Sequence, residues 1–272
     1  MNCVVFGGSG QIGHFLLPRL LTRGPSVCAL SRSARIDRAG VHWLCGALPD
    51  APPLPQEPSA LISLGPLTAF VDWLEQAPLR SQPRVVAMSS MSVLTKQDSP
   101  DPAERVMIAS LAAAERRLCA CCERRGLRWT LLRSTLIYGA GMDHSLTLIA
   151  RQAMRWRVFP LPQGSGLRQP VHADDLALAV LAALDRPQSA SCVIAVGGGE
   201  RLRASAMFAR VRASVPVWTL PLPIPPALFG VLAWLLPRRA AMVARLGTDL
   251  IVDNSDAERL LGVHARPFRP QS

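Results

Sequence analysis

A glycine turn near the amino end, Gly7-Gly8-Ser9-Gly10-Gln11-Ile12-Gly13, constrains this chain more than any other stretch. Before it stands Cys3-Val4-Val5-Phe6, a short apolar run of the kind that forms a fully buried parallel strand. After it comes His14-Phe15-Leu16-Leu17-Pro18-Arg19-Leu20-Leu21, which begins a helical pattern. In such a strand–turn–helix unit each glycine has its own task. Gly7 permits a tight turn, Gly10 lets backbone approach a pyrophosphate, and Gly13 lets the helix pack close to the sheet. The free N–H groups and positive dipole end of the helix then face the phosphates. The expectation is a bound dinucleotide, held by Gly7, Ser9, Gly10, Gln11, Ile12 and Gly13.

Strand-like and helix-like segments go on alternating. Ser26–Leu30, Val41–Cys45, Ala60–Leu64, Arg84–Met88 and Arg128–Arg133 read as strands, and Leu67–Gln76 as a brief amphipathic helix. Residues 46–58 hold Pro49, Pro52, Pro53, Pro55 and Pro58, too many for a helix interior, so an irregular loop is expected there. Asp101-Pro102-Ala103-Glu104 predicts a helix start with Asp as N-cap, Pro at N1 and Glu at N3, running to about Arg125 before Gly126. The fold class expected is α/β, a doubly wound parallel sheet over residues 1–138. Residues 139–272 form a small mixed region that covers the substrate cleft and returns to the core. Ligands in such sheets sit beyond the carboxyl ends of the strands, so Leu64, Gly65, Ser89 and Ser134 complete the expected cofactor shell. Beyond the second strand stands Ser31-Arg32-Ser33-Ala34-Arg35, with no carboxylate before Asp37. An acidic residue there would bind a ribose 2′-hydroxyl, whereas Arg32 beside Ser31 suits a 2′-phosphate; NADP is expected over NAD.

Composition narrows the partners. The net charge of +11 is almost wholly arginine, because Lys96 is the only lysine. The arginines are scattered and lack interleaved aromatics, which argues against a nucleic-acid footprint. The seven cysteines fall mostly in apolar runs without a paired C-x-x-C array, as reduced thiols in a cytoplasm would. The first strand starts at residue 2, so no signal peptide is expected. Asp174-Asp175 reads as an N-cap pair for a helix over Leu176–Leu184, and no pattern suggests a metal site. His144 and His172 are further possible acids or bases, but a surface or capping place is preferred for each. Residues 216–236 are apolar but proline-rich. Only Ala227–Leu236 runs uninterrupted, too short to span a bilayer. Arg238, Arg239 and Arg245 follow it, and a helix over the cleft is preferred to a membrane-surface contact.

Several segments together resemble the extended short-chain dehydrogenase/reductase family, also called the NAD-dependent epimerase/dehydratase family. The turn Gly7–Gly13 is similar to its cofactor loop, and Val85–Val93 resembles its strand ending in a catalytic Ser or Thr, with Ser90 in that place. Arg133-Ser134-Thr135-Leu136-Ile137-Tyr138-Gly139, Pro170–Ala177 and Asp253–Gly262 resemble three later segments, and their order spans nearly the whole chain. The resemblance implies a Tyr-x-x-x-Lys pair as acid/base, yet its two positions fall on Met107 and Leu111. Tyr138 is the only tyrosine and stands 42 residues after Lys96, in the wrong order. Neither Met nor Leu can transfer a proton. Ser90, with Tyr138 or a held water as replacement acid, is the expected chemistry on a nucleotide sugar or small carbonyl compound. Atypical members lack the pair, some resembling an accessory subunit of respiratory complex I. The alternative is therefore a non-catalytic cofactor-binding sensor, scaffold or assembly factor.

Overall fold

The computed structural model describes residues 2–24, 26–37, 40–143, 145–228 and 245–270. The apolar run opens the chain as β1 (Asn2–Phe6), and α1 (Gln11–Thr22) leaves the glycine turn. β2 (Ser26–Ser31), β3 (Val41–Cys45), β4 (Ala60–Ser63) and α2 (Leu67–Gln76) follow, with irregular chain across the proline-rich loop. Next come β5 (Arg84–Ser90), the single-turn α3 (Ser92–Thr95), α4 (Pro102–Arg124) and β6 (Trp129–Ser134). The remainder comprises β7 (Ile137–Tyr138), α5 (Leu146–Trp156), β8 (Val158–Pro162), β9 (Leu167–Arg168), β10 (Val171–His172) and α6 (Ala173–Asp185). β11 (Cys192–Val196), β12 (Leu202–Arg203), α7 (Ala204–Ser214) and β13 (Leu220–Ile224) complete it, with a short helical turn at Ala257–Leu261.

The main sheet has seven parallel strands in the order β11-β6-β5-β4-β1-β2-β3. The order reverses at β1, which lies between β4 and β2, and a doubly wound sheet binds its ligand at such a switch point. Alternation along the strands sorts the core into two layers. Val5, Ile62 and Leu132 pack on one face with Leu16 of α1 and Leu176 of α6. Phe6, Leu61 and Leu131 pack on the other with Phe70 of α2 and Leu118 of α4. The sheet's seventh strand and α6 come from beyond residue 138. A third core, around Tyr138, Phe159, Met207, Phe208 and Phe268, knits the later elements together.

One strand was not expected and two local expectations are corrected. The proline-rich stretch contributes a strand, because Pro221 and Pro223 alternate with residues whose N–H groups remain available, and β13 pairs in parallel with β8. The cap of α6 is His172, whose ring Nδ1 accepts from Asp174 N at 3.1 Å; Asp174 and Asp175 sit in the first turn and grip Arg266 instead. Asp101 does cap α4 by accepting from Ala103 N, but Glu104 turns away from the cap toward Lys96, Ser99 and Arg245. Most of the stretch 227–236, with Arg238, Arg239 and His144, lies outside the described residues. No described helix is long and apolar enough to cross a membrane.

Candidate functional site

The glycine turn has the geometry its sequence implies. Gly7 holds φ +78°, and a Cβ there would stand 2.8 Å from Gly65 N. At Gly13 a Cβ would lie 2.0 Å from Gly8 O, so only glycine allows α1 to sit this close to the turn. At Gly10 a Cβ would meet only Gly7 O, at 3.3 Å, leaving an approach to the backbone at the start of α1. The first turn of α1 carries no acidic side chain that would oppose an anion. Gln11 Oε1 is buried there without a hydrogen-bond partner. An open glycine backbone, a helix N-terminus and an orphaned amide oxygen fit a dinucleotide's phosphates and amide groups.

Beside this turn the strand ends open on a cavity of about 880 Å³. Gln11, Ile12, Leu64, Gly65, Ser89, Ser90 and Ser134 all line it. Gly7, Ser9 and Gly10 belong to the adjoining turn and Gly13 to the first turn of α1, while Ser31 ends β2 and Arg32 follows it, both away from the cavity wall. Ser31 Oγ is buried and accepts from Ser33 N and Arg35 Nε, while Arg32 is exposed and Arg35 lies over the Trp43 ring. Asp37, the first carboxylate after β2, accepts from Trp43 N and pairs with His42, so β3 holds it.

Ser90 Oγ accepts from Ser92 N at 3.1 Å and lies 3.0 Å from Ser92 Oγ. Ser89 Oγ donates to Glu115 Oε1 at 2.5 Å, and Arg133 grips both oxygens of that buried carboxylate. Leu111, at the lysine position implied by the resemblance, faces the cavity; Met107, at the tyrosine position, is 57% exposed. Tyr138 is buried outside the cavity wall. Its ring packs edge-on against His172 and Phe268, and its hydroxyl accepts from Arg269 N. Burial pushes the phenol's pKa up.

The far wall is cationic and was not legible as a site in the sequence. Lys96 Nζ donates to Glu104 Oε1 at 3.1 Å, and the second oxygen of Glu104 takes Ser99 and Arg245. Burial pushes the Glu104 carboxyl up, but those three bonds outweigh it and hold the pKa down to about 2. Arg168 is 7% exposed and, among the described residues, donates to the carbonyls of Leu167, Arg245 and Thr248, with the Asp249 charge offsetting part of its own. Burial, and then the Arg245 charge, push its guanidinium pKa down. A buried guanidinium that hydrogen-bonds carbonyls alone among the described residues gains when an anion meets it. Only residue type could have flagged these positions, because their meeting depends on residues 168 and 245 coming to the β5 edge.

A parallel sheet with a glycine turn at its switch point and a cavity over its carboxyl ends defines a dinucleotide-binding protein of the doubly wound class. The sequence profile of the NAD dependent epimerase/dehydratase family matches residues 67–197. The chain is 26% identical over 274 residues to a 3-diazoavenalumate denitrifying reductase from a Streptomyces species, covering 85% of this chain and 88% of that one. It is 28% identical over 159 residues to UDP-glucose 4-epimerase of Vibrio cholerae, covering 56% of this chain; the match spans about half (47%) of that enzyme's length. Among solved structures it is similar to MoeE5 in complex with UDP-glucuronic acid and NAD, with a TM-score of 0.74, 20% identity, and 98% and 95% of the two chains covered. The matched segment, residues 67–197, and the two relatives tie the chain by similarity to the NAD-dependent epimerase/dehydratase family, the extended short-chain dehydrogenases/reductases.

Proposed function

We propose that this chain binds a nicotinamide dinucleotide, preferably NADP(H), across Gly7–Gly13 and acts as a reductase or epimerase on a nucleotide sugar or small carbonyl compound. One observation carries the reading: the start of α1, the ends of β4, β5 and β6, and the buried Arg168 all border one cavity. Arg32 at the end of β2 is the residue for a 2′-phosphate, with Ser31 beneath it. Arg168 suits a phosphate of a nucleotide sugar, since a guanidinium offers paired donors to such an oxyanion. Ser90 orients the substrate oxygen, and Tyr138 supports the wall behind it. The bound dinucleotide supplies hydride chemistry; binding, orientation and proton handling fall to the chain's own side chains. The cysteines are free thiols, which suits a reducing cytoplasm. Calorimetric titration with NADPH and NADH, then nicotinamide absorbance with a panel of nucleotide sugars and carbonyl compounds, tests this. Binding with turnover on the order of 10 s⁻¹ supports an enzyme; absence of dinucleotide binding overturns the reading.

A second reading rests on Leu111 and Met107, which put no acid or base at the family's usual place. It makes the chain a cofactor-binding sensor, scaffold or assembly factor. Tight dinucleotide binding with no turnover across the panel decides for it.

A further inference from the structure

Among the described residues, four ionisable side chains line the cavity: Lys96, Asp143, Arg168 and Arg245. A guanidinium keeps its proton throughout the ordinary pH range, which removes both arginines as acids or bases. Asp143 accepts from the N–H groups of Ser145 and Thr147, at 3.0 Å each, and from both of their hydroxyls. Its lone pairs are spent on the start of α5. Among the described residues Lys96 remains, apart from neutral hydroxyls, as the wall residue with a transferable proton.

Its position suits the work. Ser90 ends β5 and bonds to Ser92, which opens α3; the Lys96 N–H donates to Ser92 O at 3.0 Å. One turn of helix therefore fixes the backbone of Lys96 relative to the Ser90 hydroxyl. Glu104 takes one N–H bond of the ammonium, which has two more to offer. We propose that Lys96 is the proton-carrying contact of this cavity, touching the substrate oxygen and doing the work for which the family uses its tyrosine. The proposal rests on the reading of the cavity as a dinucleotide and substrate site. When the carbonyl carbon takes the hydride supplied by the reduced dinucleotide, the π-bond pair moves onto oxygen. The Lys96 N–H bond breaks, an O–H bond forms, and the amine left behind regains its proton from water. Oxidation of a carbinol runs the same transfer in reverse.

The competing role is an ion pair that ties α3 to α4 through Glu104, and Lys96→Arg separates the two. Arginine keeps the charge and the reach to Glu104 but does not release a proton. The proposal predicts unchanged dinucleotide affinity and melting temperature in Lys96→Arg, with turnover of any active panel compound lowered by about 10²–10⁴-fold. A structural pair predicts wild-type turnover, and that result overturns the proposal. Contact is read independently of activity, because Lys96 carries the only side-chain amine in the chain. Limited acetylation followed by peptide mass spectrometry gives its labelling rate alone, with NADP⁺, and with NADP⁺ plus UDP-glucose or a small aldehyde. Protection of about tenfold or more in at least one mixture is expected. If calorimetry shows the dinucleotide bound while labelling stays unchanged in every mixture, this proposal falls and the cavity reading stands. If no dinucleotide binds, both fall.

Discussion

Gly10→Val should separate binding from folding at the glycine turn. Gly10 is the N-cap of α1 with φ −85° and ψ −178°, a backbone that any residue adopts. A Cβ at Gly10 meets only Gly7 O, at 3.3 Å, and that neighbour has to give by a few tenths of an ångström. The fold therefore loses little: replacing an N-cap glycine by an apolar residue costs about 1 kcal/mol, or roughly 2–4 °C in Tm for a chain of this size. The ligand loses more, because the isopropyl group occupies the approach a pyrophosphate needs. Forfeiting on the order of two charge-assisted hydrogen bonds, at about 1.5–3 kcal/mol each, costs about 3–6 kcal/mol. That is roughly a 10²–10⁴-fold loss of affinity. Gly13→Ala is the control, since its Cβ would lie 2.0 Å from Gly8 O and force α1 away from the turn. It should destabilise the fold by about 3 kcal/mol or more. Calorimetry with NADPH and a thermal melt on each variant give both numbers. Unchanged affinity in Gly10→Val would refute the assigned site, and a collapse of its Tm would show that Gly10 serves packing instead.

Arg32→Ala should weaken NADPH binding by about 10–100-fold, the worth of one charge-assisted contact, while NADH affinity stays level; parallel titrations check it, and equal losses for both would sink the assignment. The Glu104 carboxyl has a pKa of about 2 in the fold against an ordinary 4.5, so the stability it contributes is complete above about pH 4.5 and drains away as pH falls toward 2. Denaturant unfolding of Glu104→Gln should show a flatter pH dependence across that window; an unchanged slope would remove Glu104 as its source. Tyr138→Phe should cost about 1 kcal/mol, by loss of the bond from Arg269 N, and leave dinucleotide affinity unaltered in calorimetry. A large affinity loss there would move Tyr138 into the site.

The parallel sheet was readable because each central strand is a short apolar run bounded by glycine, proline or polar residues, and because both faces are buried. α2 matches its expected limits, Leu67–Gln76, since Pro66 fixes its start and the amphipathic pattern fixes its face. β13 was hidden. Proline at alternate positions counts against a strand in any local reading, and only the partner β8 shows that the missing N–H groups are the ones the pairing does not need. The Glu104 side chain was misread for a related reason. An N3 glutamate after an aspartate N-cap signals a capping box, but Ser99 Oγ already accepts from Asp101 N, and two cations bid for the carboxylate. Local grammar names the helix start correctly and cannot name a partner 141 residues away.

The same limit governs the chemistry. The resemblance puts Tyr138 in a segment beside the nicotinamide, and Ile137 does line the cavity. Successive residues of an extended strand point to opposite sides, however. With Ile137 facing the cavity, Tyr138 faces the core, where its ring lies 4.8 Å from Phe268 and 5.0 Å from His172. Burial pushes its phenol away from neutral pH, against the direction an acid needs. Ser89 and Ser90 escape this alternation because β5 ends there and the chain turns into α3, so both reach the cavity wall. With an exposed methionine and an apolar leucine at the two positions the resemblance implies, the described wall offers a row of hydroxyls and one ammonium beside two guanidiniums and the fully bonded Asp143. The only lysine in 272 residues stands one helical turn beyond those serines, held by a carboxylate that stays charged down to about pH 2. Under the proposed reading, that ammonium supplies the proton that Tyr138, buried away from the described wall, does not.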